Sequence, residues 1–238
     1  MLTFNLTEKK FGFIAPGNDG LLQTEQPMGS KIIITGIGSR FAGIMSSDGY
    51  ARLFTIYFTP TGFYHLFGIP AVHFTNVLEE DIDSCNRYLV LLREQLMAMQ
   101  NKPDMVRCCE KFLLQQLSKS KSKDPYGAMF AISGYLLQNP DTCLVERMAY
   151  DANMSMKTFE RKFIEHVGST PKLYARIGRF NKAIALKMND FSKSWTNIAY
   201  TCGYYDQMHL IKDFKLFCGT SPTTFFKYTP PVFEQLTD

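Results

Sequence analysis

The chain is poor in the residue patterns that most enzyme chemistry needs. Its four histidines, at 65, 73, 166 and 209, are scattered without metal-ligand spacing. Its six cysteines (85, 108, 109, 143, 202 and 218) contain no C-x-x-C pair and no disulfide-like spacing, so they read as reduced thiols. Cys108 and Cys109 are adjacent, and on a helix they cannot both face one metal. There is no Gly-rich phosphate loop and no nucleophile elbow. No catalytic residue, metal site or cofactor is therefore expected, and the chain does not read as an enzyme. No run of 18 apolar residues occurs, which excludes a membrane-spanning helix. The opening MLTFNLTEKKFGF has no positive region leading into an apolar block, so a secretory signal is not expected and the location reads as cytoplasmic.

What is present describes a folded, unevenly charged chain. Its 238 residues are 45% hydrophobic and 20% charged, enough for one or two domains with their own cores. Residues 155–228 hold 12 Lys and Arg against 5 Asp and Glu, whereas 1–154 hold 14 against 15. A basic end joined to a near-neutral one fits a nucleic-acid-binding part and a separate regulatory part.

The stretch from Ala149 to Phe225 is one unit written twice. Ala149, Asn153, Ser155, Phe159, Phe163, Gly168, Thr170 and Pro171 reappear as Ala199, Gly203, Asp206, Leu210, Phe214, Gly219, Ser221 and Pro222. From Ser155 and Asp206 onward the offset is a constant 51 residues, and one extra residue in the turn before Asp206 breaks the register. Each copy has the grammar of a helix-turn-helix. A small Ala allows a close crossing, and Asn153 or Gly203 tolerates φ > 0 in the turn. Ser155 or Asp206 is an N-cap. Phe159 with Phe163, and Leu210 with Phe214, form an i, i+4 apolar stripe. Gly168 or Gly219 stops the helix, and Thr-Pro or Ser-Pro starts the next one.

The faces left over carry polar and basic groups. Behind Ser155 the first helix presents Met156, Lys157, Glu160, Arg161 and Lys162. The second presents Gln207, Met208, Ile211, Lys212 and Lys215. Such side chains contact phosphates and base edges in a major groove, and Met or Ile suits a thymine methyl. Lys172 and Lys182, on the helix between the copies, are placed with Lys215 to hold backbone phosphates. His166 ends the first reading helix, where a cation suits the helix dipole. His209 is expected to pack or to touch DNA backbone.

The run MS-x3-F-x-RKF at 154–163, the junction Gly168 to Tyr174 and the run IAYTCGYYDQMHLIKDFKLFCGTSP at 198–222 resemble the DNA-binding domain of the AraC/XylS family of bacterial transcription regulators. The resemblance covers residues 142–228 and is closest in the second copy; Asn153 and Lys157 depart from the usual pattern in the first. It implies a seven-helix domain with a linker helix between two reading heads, double-stranded DNA as partner, a regulator that is most often an activator, and RNA polymerase as a further partner.

Residues 1–60 read as short strands rich in β-branched and aromatic residues: LTFNL, FGFIA, SKIIITGIG, RFAGIM and YARLFTIYF. Antiparallel meanders within a barrel or sandwich are expected. The run at 58–76 begins a short helix near Thr61 and resembles a stretch of the β-rich N-terminal domain of some AraC-like regulators. By that comparison the β segment is short, an incomplete barrel of the cupin-like kind. Amphipathic helices are expected over 78–98 and 104–118, the second opened by Pro103. They either cover the sheet or form the homodimer contact that such a pair makes in the family. SKSKSKDP at 118–125 reads as a linker. The expected fold is thus α+β: a β-rich regulatory or dimerisation domain with two trailing helices over 1–120, a linker at 121–125, and an all-α domain with two helix-turn-helix motifs over 126–230, its linker helix spanning Pro171 to about Met188. The function expected is sequence-specific DNA binding, with dimerisation or sensing of a small-molecule effector at the N-terminal end. Two alternatives remain: a helical module that binds a protein such as polymerase without reading DNA, and a DNA-repair alkyl-transfer enzyme, which would need clustered thiolates.

Overall fold

The structure, a computed structural model, describes residues 1–7, 11–14, 26–28, 31–47, 49–77, 87–120 and 127–228. Among the described residues the N-terminal half begins with six short strands: β1 (Leu2–Asn5), β2 (Phe11–Ile14), β3 (Gln26–Met28), β4 (Ile32–Ile34), β5 (Ile44–Ser47) and β6 (Leu53–Ile56). They form two three-stranded antiparallel sheets, ordered β4-β1-β6 and β3-β2-β5. Leu2 lies opposite Ile56 and Phe11 opposite Ser47, so nine residues along one side match nine along the other and both sheets share one register there. On the other side Leu2 faces Ile34 and Phe11 faces Met28, nine residues against six. The meander expected from the strand spacing is not what forms. β1 sits in the middle of its sheet and takes both partners from distant segments. RFAGIM also contributes less than expected, since its strand starts only at Ile44.

β1 is buried throughout. Leu2, Phe4 and Leu6 alternate into the core, while Thr3 on the opposite face pairs its hydroxyl with that of Thr55 at 3.1 Å. Over this core lie α1 (Gly62–Phe67), a 3-10 helix (Ala71–Phe74), α2 (Arg87–Ala98) and α3 (Lys102–Lys119). Leu89, Leu92 and Leu96 of α2 join Met105 and Cys109 of α3 against the sheet, as helical spacing dictates. Covering the sheet is therefore one role of this pair. Val106, Leu114 and Leu117 of α3 nonetheless remain exposed on its outer side. Pro103 stands second in α3, one residue inside its start. The first nine residues of the expected helix 78–98, and the linker at 121–125, lie outside the described residues.

Among its described residues the C-terminal part has the seven helices that the resemblance implies: α4 (Ala128–Gln138), α5 (Val145–Asp151), α6 (Met156–Val167), α7 (Pro171–Asn189), α8 (Trp195–Thr201), α9 (Gln207–Cys218) and α10 (Pro222–Tyr228). They make two small cores on one long helix. Tyr174 and Ala175, near the start of α7, pack with Phe159, Phe163 and Val145. Phe180 and Ala183, further along α7, pack with Leu210, Phe214 and Ile198. Burial of Tyr174 near its start and of Phe180 at its middle makes α7 a shared strut between two helix-turn-helix units. Among the described residues, no helix is long and apolar enough to cross a membrane.

Candidate nucleic-acid interface

The two turns are built alike, bond for bond. In the first, Ala152, Asn153 and Met154 donate their N–H groups to the carbonyls of Met148, Tyr150 and Ala149; in the second, Cys202, Gly203 and Tyr204 donate to Ile198, Tyr200 and Ala199. Asn153 has φ 53° and Gly203 has φ 73°, the left-handed conformation that the turn demands. The extra residue of the second copy is Tyr205, which the structure leaves 86% exposed beside the start of α9. Ser155 then caps α6 by accepting from the Thr158 N–H at 3.3 Å, and Asp206 caps α9 by accepting from His209 at 2.7 Å. Gly168 and Gly219 close the helices at φ 93° and 70°.

On α6, Ser155, Met156, Lys157 and Arg161 are exposed and Glu160 is half-buried. Lys162 is also half-buried, but it lines a hollow with His65 and His166 that faces the N-terminal half. That position corresponds to the fully buried Asp213 of the second copy, which is why Lys162 turns away from the reading face. The last turn of α6 meets the N-terminal half directly. Tyr64 donates its hydroxyl to Glu165 at 2.9 Å and stacks on His166 with ring centres 4.1 Å apart. Arg161 reaches the other oxygen of Glu165 at 3.7 Å.

The charge assigned to His166 is corrected by this packing. Burial, then the neighbouring His65, hold its pKa down to about 4, with Lys162 acting the same way and Glu165 opposing. The helix dipole favours a cation at this end, but desolvation outweighs it, and His166 is neutral near pH 7.

On α9, Met208, Lys212 and Lys215 are exposed, and Gln207 and Ile211 are half-buried. Gln207 accepts a hydrogen bond from the Thr196 hydroxyl of α8 at 2.7 Å. Beneath them, Arg176 of α7 donates twice to the same oxygen of Asp213, at 2.9 and 2.6 Å, and Tyr204 donates to the other oxygen at 3.0 Å. This pair ties the strut to the second reading helix. His209 packs its ring edge-on against Tyr204. Lys172 and Lys182 are exposed on α7.

Residues 148–228 match the family model of a helix-turn-helix domain. This segment is an AraC-type helix-turn-helix domain. A solved structure of ToxT from Vibrio cholerae is similar over 95% of this chain and 88% of its own, at 12% identity and a TM-score of 0.49. A structure of ToxT from Vibrio cholerae O395 is similar over 95% of this chain and 87% of its own, at 13% identity and a TM-score of 0.48. No curated protein sequence matches the chain.

Three residues of the AraC-type domain belong beside those read from the sequence. Arg176 and Tyr205 line one shallow depression with Met208 and Lys212, and Thr196 holds Gln207. Tyr205 carried a signal, since it is the single residue that interrupts the repeat. Thr196 and Arg176 carried none, because each acts across a helix boundary that no local spacing reveals.

Proposed function

We propose that the chain is a transcription regulator that reads double-stranded DNA through α6 and α9 in successive major grooves. The observation that carries this reading is the mounting of two like-built, capped helices on one strut, each with an exposed basic side. The 19 residues of α7 span roughly 28 Å at 1.5 Å per residue. Successive major-groove faces of B-DNA lie about 34 Å apart. With the width of the reading helices added, a strut of this length suits that separation. In the assigned roles Lys157, Arg161, Gln207, Met208, Ile211 and Lys212 face bases; Lys172, Lys182 and Lys215 face phosphates. Activation through contact with RNA polymerase, in the bacterial cytoplasm, is the finer reading.

The N-terminal half takes dimerisation or effector sensing. Exposed Val106, Leu114 and Leu117 support self-association through α3. A half-open apolar cavity of about 400 Å³, between Ile34, Ile37, Phe63, Phe74 and Val167, supports a small apolar effector.

Selection of bound fragments from random DNA tests the central claim, and a salt titration on the selected site completes it. Binding that weakens steeply with salt and prefers a two-part sequence is the expected result. Weak, salt-independent binding without preference would instead favour a module that docks on protein.

A further inference from the structure

The last four carbonyls of a helix have no partner within it. At the end of α9 one of them, that of Leu216, accepts the backbone N–H of Phe41, 2.6 Å away, from the N-terminal half of the chain. The ring of Phe41 also lies directly over Gly219. A Cβ there would stand 2.6 Å from a ring carbon, so no larger residue fits without moving Phe41. Gly219 caps the Lys215 carbonyl from within the domain at 3.1 Å, and Phe41 adds a second cap, on Leu216, from outside it.

The same stretch is anchored on the first head. It leaves the sheet after β4, and Gly36 donates to the Phe74 carbonyl at 3.0 Å with no room for a side chain. Ile37 packs into the core under α6, and its carbonyl accepts from the Asn76 N–H at 3.1 Å. One residue past the 3-10 helix, the Thr75 hydroxyl donates to the carbonyl of Gly168, the residue that ends α6, at 2.5 Å. The C-terminal ends of both reading helices therefore rest on one small piece of the N-terminal half. α7 alone would leave each head able to rock about its junction with the strut; a second support at the far end of each reading helix turns the strut into a frame. These hydrogen bonds meet the C-terminal ends, while Ser155, Met156 and Lys157 at the start of α6 and Met208 at the start of α9 are exposed. The first turns, which reach base edges in this motif, stay clear.

We propose that Phe41 is a positioning residue for DNA recognition: by bracing the end of α9 against the support that also holds α6, it sets the separation of half-sites that the protein accepts. This rests on the two-groove reading above. The test uses the full chain and the selected site, with the two halves moved apart or together one base pair at a time. Wild type is expected to prefer one separation steeply. Phe41→Ala should reduce the ratio of best to next-best separation about five-fold or more, a modest coupling, while base preferences within each half stay unchanged. Thr75→Val, which loosens the other head, should flatten the profile similarly, and the double variant should add little. An unchanged profile in a Phe41→Ala protein that melts like wild type overturns the proposal. If that variant fails to fold, Phe41→Leu takes its place, and a wild-type profile in it overturns the proposal equally. Wild type that selects no two-part site at all would instead sink the two-groove reading.

Discussion

The hydroxyl of Thr196 donates to the side-chain oxygen of Gln207 across 2.7 Å, and so fixes which end of the amide faces outward. With its oxygen engaged, Gln207 presents its NH2 group. Two parallel bonds to adenine require both ends of the amide, whereas guanine and thymine offer acceptors that a donor alone can satisfy. Wild type is expected to prefer an acceptor-presenting base at this position. Thr196→Val should move the preference towards adenine, and Gln207→Ala should relax it at a cost of about 1–3 kcal/mol. Base-preference profiles of the three proteins decide the matter; adenine preference already at full strength in wild type would show that the hydrogen bond breaks on binding.

The Arg176–Asp213 pair makes an asymmetric prediction. Asp213 is fully buried, while the Arg176 side chain keeps 37% of its surface exposed. Arg176→Ala leaves a buried carboxylate with only the Tyr204 hydroxyl for company, which should cost about 3–5 kcal/mol. Asp213→Ala leaves a cation that can turn to water, and should cost less, about 1–3 kcal/mol. Urea unfolding of both variants checks the order. Equal losses would mean that the carboxylate is solvated after all.

What could be read from the sequence was local. Ser155, Thr170 and Asp206 act on N–H groups three residues away, so their cap roles are visible in a single turn of chain. The positive φ of Gly203 and Asn153 follows from residue type and place in the same way. Phe41 looked like part of a strand because its aromatic ring and the β-branched Ile44 suit one. Its partner Leu216 lies at the other end of the chain, and no periodicity connects them. Lys162 looked like one more basic residue on a basic face. The offset of 51 pairs it with Asp213, but only the fold shows that this position is buried in the second copy and lies beside His65 in the first.

His166 links stability to pH. A histidine whose folded pKa lies below the unfolded value is favoured in its neutral form, so the unfolded chain takes up a proton first as the pH falls. Stability is therefore complete above about pH 6.5 and is lost as the pH falls towards about 4. The loss should be on the order of 2–3 kcal/mol across that window. His166→Phe keeps the stack on Tyr64 and removes the titration, while His65, Glu165 and Lys162 around it stay as they are. Urea midpoints between pH 7 and pH 4 should fall less in the variant. Parallel curves for the two proteins would show that His166 already takes a proton in the fold.

The two turns should differ in tolerance. Gly203 sits at φ 73°, and a Cβ there would stand 3.0 Å from that of Asp141. Gly203→Val therefore combines backbone strain with a contact, and should cost more than about 1 kcal/mol. Asn153→Gly loses only a residue that already tolerates this conformation, and should change the melting temperature little. A neutral Gly203→Val would mean that the turn reshapes without penalty.

Arg161 carries the sharpest assignment on the first head. Its side chain is 67% exposed, and its ion pair with Glu165, at 3.7 Å, is too long and too wet to hold it firmly. Glu165 is the better anchored partner, through Tyr64. Arg161 can therefore leave Glu165 for DNA at a cost below about 1 kcal/mol. Two parallel bonds from arginine to guanine are worth about 1–3 kcal/mol of discrimination. Arg161→Ala should thus lose preference at one guanine-containing position, one helical turn of DNA away from the position relaxed by Gln207→Ala. Non-specific affinity should fall in the Arg161 variant and much less in the Gln207 variant, which loses no charge. Glu165→Gln should shift affinity by no more than a few-fold and leave base preference alone. Relaxation of the same base pair by Arg161→Ala and Gln207→Ala would mean that the two helices do not occupy successive grooves.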